Sequence, residues 1–565
     1  MFTKLVSNLR FLPILTIFLL AAFLRFWQLD SAPPHLNWDE VSHGYNAYSI
    51  LKTGKDEWGE SFPQTSFRAF GDYKLPVYIY TLVPFVWLFG LNDWVVRVPA
   101  ALAGVGTVIL TFLLTQKLFN NFQIAAVSAL LLAISPWHLF TSRAAFEANL
   151  AQFFVVLAIY LFLKGLPAGK AGFENYKFFI PSALFFGLSL FTYNSARIFV
   201  PLLIIALIII FRKELKNLAN KLVLPAIIFL LFAIPLVTTL SKPESRARFY
   251  WTTILDQGAI NRISEARTKS NLPQVLNILV NNRATYFITH FIPNWVSHFS
   301  PQFLFLKGGS NFQYSIPGRG VLYSIEAVLI ISGLFYLLIK RTKISALIFF
   351  WILLAPVAAS ATRESPNVLR TILILPTWQI LASLGLFEIK NLLKNIKFGV
   401  IFLIFTILAI STFRFLGEYF GSYRTDYSFA WQYGYSELAK FLQDEKSQYD
   451  RIVITKKYGE PHEFLLFYQK IDPKFYQTDP NLIRCPKSFW FWIDAFNGYE
   501  FVNDWDIVNL KKDQVMPAAC EREIKKLEVK KMLLVTSPRN FPLGGQLIKT
   551  LNFLDGKPAF DLVEF

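Results

Sequence analysis

Two adjacent carboxylates, Asp39 and Glu40, stand in Asn37-Trp38-Asp39-Glu40-Val41-Ser42-His43-Gly44-Tyr45, directly after the first apolar stretch. A carboxylate can take a proton from an attacking hydroxyl, and fixed cations can stabilise a phosphate that gains charge. Both kinds of group occur in this one segment. Lys74 follows in Phe70-Gly71-Asp72-Tyr73-Lys74-Leu75-Pro76, and Arg97 in Val96-Arg97-Val98-Pro99. Each has an ordinary reading too. An acid pair suits a helix start, where the dipole and unpaired N–H groups favour negative charge, and a lone cation near an apolar segment serves as an anchor reaching toward lipid headgroups.

Later turns return the same residue types. Ser135-Pro136-Trp137-His138 leads through Arg143 to Glu147; Tyr193 and Arg197 share the turn Thr192–Arg197; Arg363-Glu364-Ser365-Pro366-Asn367-Val368-Leu369-Arg370 precedes another apolar run. Connectors need only small polar residues, so acids and arginines here point to function in aggregate. Arg370 and Glu326, each just inside an apolar stretch, occupy expensive positions unless paired or facing water.

The elements that must position these groups are membrane helices. Over 565 residues the chain is 54% hydrophobic and 17% aromatic, with a mean hydropathy of +0.40. That composition excludes disorder, a collagen-like rod and a disulfide-stapled miniprotein. Apolar segments of about 17–25 residues predict spans near 10–27, 97–117, 121–137, 147–164, 177–193, 196–212, 221–240, 321–339, 344–361, 368–388 and 397–414. Arg25-Phe26-Trp27 reads as an interface anchor on a retained first helix, with no small-residue cleavage site after it. The net charge of +18 would suggest nucleic acid in a soluble protein. Here the basic residues cluster between apolar segments, so no nucleic-acid partner is expected.

With Pro76–Leu91 lying along the membrane surface, the basic clusters fall on the cytoplasmic side. They are Lys4 and Arg10; Lys117; Lys164, Lys170 and Lys177; Arg212, Lys213, Lys216 and Lys221; Lys340, Arg341 and Lys343; and Lys390, Lys394 and Lys397. If that segment crosses, the later clusters land outside. The preferred parity gives about eleven transmembrane helices and outer loops at 28–96 and 241–320. It also predicts a membrane domain over 1–414 and an extracytoplasmic tail over 415–565.

The tail changes character. A helix at Ser436–Lys446, a strand at Arg451–Thr455, a helix at Pro461–Gln469 and a strand at Met532–Thr536 predict a small α/β domain. Cys485 and Cys520 both fall in it, and a disulfide and two buried thiols are equally open readings.

These residues resemble the GT-C superfamily of integral-membrane glycosyltransferases. The likeness is to the bacterial branch related to protein O-mannosyltransferases and lipid A aminoarabinose transferases. It is carried by Asp39-Glu40 after the first helix, Lys74-Leu75-Pro76, Arg97-Val98-Pro99, Ser135-Pro136 with Arg143 and Glu147, His298-Phe299-Ser300-Pro301-Gln302-Phe303-Leu304-Phe305 before Gly308, and Asn367-Val368-Leu369-Arg370. It covers roughly residues 10–415, and Leu75 departs from the proline common there.

The resemblance implies inverting transfer of a sugar from a polyprenyl phosphate to an acceptor hydroxyl on a glycan, lipid or protein at the outer face. Asp39 would be the base with Glu40 beside it, and Lys74, Arg97 and Arg370 would hold the donor phosphate. His43, Tyr45, Arg143, Glu147, Tyr193 and Arg197 would contact substrate. No cofactor is expected, and a divalent metal is not favoured. The competing class is a transporter or flippase of lipid-linked sugars, which calls for broken helices with polar groups at mid-membrane. Here the ionisable residues gather at one end of the spans. A surface module on a mere anchor would need one helix, not eleven.

Overall fold

The computed structural model describes residues 12–71, 73–167, 175–240, 251–393, 396–487, 490–512 and 529–565. Lys4, Arg10, Asp72, Lys170, Lys394 and Cys520 lie outside the described residues. The chain divides into two compact units, one of residues 1–27 with 100–416, the other of residues 28–99 with 417–565. The sequence boundary at 414/415 lies close to the last of the three joints, 416/417. The first loop, assigned above to the membrane domain, packs in one unit with the tail.

The first unit is helical, and each of the eleven stretches read as spans contains a helix. Among the described residues six helices are long and apolar enough to cross a membrane: Asp93–Phe119, Glu147–Gly165, Ala219–Val237, Lys343–Ser360, Ile372–Leu392 and Lys397–Asp426. The protein is a multi-pass membrane protein. Where lipid removes any hydrophobic drive between helices, small residues let backbones approach. Ser324–Lys340 crosses Thr377–Leu392 in this way: a Cβ on Gly385 would lie 1.8 Å from the Leu329 carbonyl oxygen, and one on Gly333 would lie 2.1 Å from that of Leu381.

Arg25 is not an interface anchor. It is fully buried, donating to the carbonyls of Ala133 (3.2 Å) and Leu132 (3.4 Å) and lying 2.7 Å from His138 Nδ1. The orphan carbonyls at the end of helix Phe122–Ile134 need donors, and the guanidinium supplies them.

In the second unit, helix Trp38–Thr53 starts at Asn37 with a reciprocal capping box, the Asn37 side chain accepting from the Glu40 N–H and Glu40 Oε2 accepting from the Asn37 N–H, each at 3.0 Å. The short strands β1 (Phe67–Arg68) and β2 (Tyr73–Lys74) pair antiparallel and deliver the chain to helix Pro76–Phe89. That helix has 14 residues, so it is about 21 Å long against a hydrocarbon thickness of about 30 Å. It packs on Trp38–Thr53, and its Tyr78 hydroxyl donates to the Val96 carbonyl at 2.9 Å.

The tail is an α/β sheet domain. Among the described residues its strands are β3 (Arg451–Thr455), β4 (Ile483–Lys487), β5 (Trp490–Phe496), β6 (Tyr499–Val502), β7 (Met532–Thr536), β8 (Gln546–Asn552) and β9 (Pro558–Glu564), in the order β4-β5-β6-β3-β7-β9-β8. β3 is parallel to both β6 and β7, and the outer pairs are antiparallel. Buried on both faces, β3 and β7 read as continuous apolar runs, which is why these two strands were visible in sequence. Cys485 is buried on β4.

Candidate active site

Of the residues singled out from sequence, Asp39, Glu40, His43, Tyr45, Lys74 and Arg97 belong to the second unit. Arg143, Glu147, Tyr193, Arg197 and Arg370 belong to the first.

Glu40 and Arg97 are both fully buried and form a bidentate pair, Arg97 Nε to Glu40 Oε1 at 2.9 Å and Nη2 to Oε2 at 3.2 Å. Arg97 Nη1 also donates to the carbonyls of Leu29 (3.0 Å) and Pro33 (2.9 Å), and Nη2 to that of His35 (2.5 Å). A guanidinium has five N–H donors, and these five contacts engage them. The sequence reading gave Arg97 to the donor phosphate and Glu40 to the chemistry; in this structure the pair ties the loop after the first helix to the start of helix Trp38–Thr53.

Asp39, one residue earlier, is turned the other way. Its side chain is 36% exposed, and its carboxylate pairs with Lys74, whose side chain is 4% exposed. Lys74 leaves the end of β2, with its ammonium 5.2 Å from the centre of the Phe70 ring, and Trp38 stands over that ring at 6.0 Å. The result is a carboxylate on a rigid helix N-terminus, open to an approaching group, with a desolvated ammonium against it.

Tyr45 is wholly buried, with its hydroxyl donating to the Ile471 carbonyl at 3.1 Å and its ring 6.3 Å from that of Tyr476, so it packs the unit's interior. His43 is likewise buried, its ring 5.2 Å from that of Tyr78.

In the first unit, Arg143 is fully buried and donates to the carbonyls of Leu24 and Trp27, both at 2.6 Å. It caps the end of the first helix. Glu147 is the first residue of helix Glu147–Gly165 and is partly exposed. Tyr193 is buried in its turn, and Arg197 Nε donates to the Leu190 carbonyl at 3.1 Å.

Arg370 behaves differently. Its side chain is 19% exposed; Nη1 donates to Thr362 Oγ1 at 2.7 Å and Nη2 lies 3.4 Å from Glu364 Oε2, which leaves donors for a further anion. Its loop is held by a relay that joins two sequence motifs. His298 Nε2 accepts the Asn367 N–H at 3.2 Å, His298 Nδ1 lies 2.8 Å from the Asn294 carbonyl, and the Asn367 side chain accepts from the Arg370 N–H at 2.8 Å. Burial pulls the His298 imidazole down to about 4, against the backbone contact to Asn294, so it stays neutral with Nε2 free to accept.

One cluster escaped the sequence reading. Asp56 and Glu57 follow helix Trp38–Thr53, and Glu57 meets Glu463 of helix Pro461–Tyr468. Burial, then the neighbouring Asp56 charge, pushes Glu57 up to about 8; Asp56 rises to about 6, also chiefly by burial. Glu463 is pushed well above the carboxylate range by burial and by Glu57. Beside it, His462 lies 3.5 Å from Glu460 and 3.7 Å from Glu463. The acid pairs in Asp56-Glu57 and Glu460-Pro461-His462-Glu463 were the available signal.

Comparison with known proteins fits this architecture. The family model for dolichyl-phosphate-mannose-protein mannosyltransferase matches residues 15–243. YkcB of Bacillus subtilis (strain 168), provisionally described as a mannosyltransferase, is 27% identical over 223 residues, which are 38% of this chain and 29% of that protein. The chain thus spans under a third of the length of this curated relative. In structure the chain is similar to ArnT from Cupriavidus metallidurans, with a TM-score of 0.54 at 12% identity over 98% of this chain and 97% of ArnT in the apo state. The form of that protein bound to undecaprenyl phosphate gives a TM-score of 0.52 at 13% identity, with the same coverage. These likenesses define a class of architecture, a multi-pass membrane protein with the GT-C glycosyltransferase fold. Within it, the first two-fifths of the chain is similar in sequence to the mannosyltransferases.

Proposed function

We propose that this protein is an inverting glycosyltransferase that moves a sugar from a polyprenyl phosphate to an acceptor hydroxyl at the outer face of the plasma membrane, with Asp39 as general base. The observation that carries the reading is the division of labour within the acid pair. Glu40 is consumed by Arg97 and the helix cap, while Asp39 alone stays accessible on a fixed helix end beside Lys74. The sequence match of residues 15–243 and the ArnT-like fold support the donor class.

In this reading Lys74 holds Asp39 until donor arrives, then turns toward the phosphate, and the released carboxylate takes the proton of the acceptor hydroxyl as it attacks the anomeric carbon. The reaction as proposed uses no resident metal, so turnover persists in a chelator. Purified protein is incubated with a panel of polyprenyl-phosphate sugars, and transfer or donor hydrolysis is followed. A positioned base contributes about 10²–10⁴-fold, so Asp39→Asn loses at least that factor in kcat while donor binding survives. Turnover by Asp39→Asn within tenfold of wild type removes Asp39 as the base. Directional movement of donor across vesicle membranes without transfer favours a flippase instead.

A further inference from the structure

The sheet of the tail carries a cleft that shares no residue with the candidate active site. It has a volume of about 330 Å³ and is lined by Lys456, Lys457, Trp492, Asn503, Asp504, Trp505, Ser537 and Asn540. Its place follows from topology. Lys456 and Lys457 directly follow β3, Asn503 and Asp504 follow β6, and Ser537 follows β7. From β3 the chain runs through β4 and β5 to β6 on one side, then crosses to β7 on the other. Strands that leave a central strand in opposite directions open a crevice at their carboxyl ends, and ligands bind there in open α/β sheets.

The lining is pre-organised. Asp504 accepts from Thr455 Oγ1 at 2.8 Å and Ser537 Oγ at 2.9 Å, and its backbone carbonyl accepts from Asn540 Nδ2 at 2.7 Å. Burial alone would raise this carboxyl, but the Ser537 and Thr455 hydroxyls, Asn540 and the Lys457 charge hold it below the usual carboxylate range. The lysines do not make an anion site. Lys456 is buried against Asp494, and Lys457 lies 3.4 Å from Asp504 Oδ2, so each positive charge has its own carboxylate. What remains is a neutral-on-balance set of hydroxyl, amide, carboxylate and ammonium groups beside two indoles. Trp505 is 73% exposed, a large flat apolar face that the fold does not cover.

We propose that this cleft is a saccharide-binding site taking one or two pyranose units of a glycan. A sugar ring has an apolar C–H face suited to an indole and a rim of vicinal hydroxyls suited to a carboxylate flanked by amide and ammonium donors. The volume lies at the small end of the range for ligand clefts, about 300–1,000 Å³, which fits a ring or two and not a long chain. A transferase with such a site would hold a growing or polymeric acceptor beyond the point of reaction.

The full-length protein in detergent, without lipid donor, is titrated with methyl mannoside, methyl glucoside, N-acetylglucosamine and their disaccharides, with inorganic phosphate as a control, and read by saturation-transfer NMR. At least one saccharide saturates, and Trp505→Ala and Asn540→Ala each weaken it by tenfold or more. Melting temperature is recorded alongside, and because Trp505 is exposed its variant folds as wild type. The proposal is overturned if no saccharide saturates, if phosphate displaces the sugar as a competitor for the same site, or if both variants bind like wild type. Since no transfer is measured, these outcomes are independent of whether Asp39 is a base.

Discussion

At the scale of single residues, side-chain types were legible and partners were not. Sequence put two acids and two cations in one segment, but Glu40–Arg97 and Asp39–Lys74 are pairings made across 57 and 35 positions. One clue was present: Asn37 and Glu40 stand three apart, the spacing of a capping box, which already assigned Glu40 to structure and left Asp39 for chemistry. If Arg97 is a structural tie, Arg97→Ala leaves Glu40 buried and uncompensated, a loss of about 3–5 kcal/mol. It therefore lowers melting temperature and expression, and the Glu40→Gln, Arg97→Met double variant recovers part of the loss. A phosphate clamp would instead show as a raised donor KM in a protein of unchanged stability, so melting curves and donor titrations on the same preparations decide between the two.

The buried Glu57 gives a second residue-scale outcome, in pH. Its folded pKa, about 8, is raised above the unfolded carboxylate value near 4.5. The stability it contributes is therefore fully present below the unfolded value and declines as pH rises from about 4.5 through about 8. Asp56 acts in the same direction up to about 6. His35, pulled down to about 4 by burial in spite of its contact to the Leu36 carbonyl, acts in reverse and weakens the fold as pH falls. Melting temperature is therefore expected to drop between pH 6 and pH 8.5, and Glu57→Gln, which keeps the neutral form at all pH, flattens that drop. Parallel wild-type and variant curves would show that Glu57 ionises normally in the folded protein.

At the scale of elements, runs of apolar residues placed the helices well because a helix in lipid must be apolar over its length. The interior strands β3 and β7 stood out for a related reason, burial on both faces. In the tail, strands β4, β5, β6, β8 and β9 were missed: β4 and β5 mix aromatic, polar and proline residues, β6 has only four residues, β8 is largely exposed and β9 sets Asp561 inside its buried run, so none offers a clean period. Nor did composition reveal which helix pairs touch. Gly333 and Gly385 now identify one crossing by the space a side chain would take. Gly385→Ala forces the backbones apart and costs about 1–3 kcal/mol, as overpacking does, whereas Gly399→Ala meets nothing within 4 Å and is silent. Thermal stability of the two variants in detergent tests this; equal melting temperatures would mean the close approach is absent in the folded protein.

At the scale of the whole molecule, charge distribution along the chain is what orients a multi-pass protein, and it was the most readable feature of the sequence. Basic residues recur in short connectors such as Lys340-Arg341-Thr342-Lys343, and the segments between the other helix ends hold the acids and the candidate chemistry. Helix Pro76–Phe89 bears on the same question, since its lying along the membrane surface keeps the basic connectors on one side and its crossing would move the later ones to the other. We propose from this charge pattern that Lys340 faces the cytoplasm and that Lys269 and Lys440, with the tail, face outward. Each of the three is exposed, so a cysteine placed there reports its side. In intact cells a membrane-impermeant maleimide labels Lys269→Cys and Lys440→Cys, and labels Lys340→Cys only after the membrane is opened. Labelling of Lys340→Cys in intact cells would place the basic connectors outside and overturn this orientation.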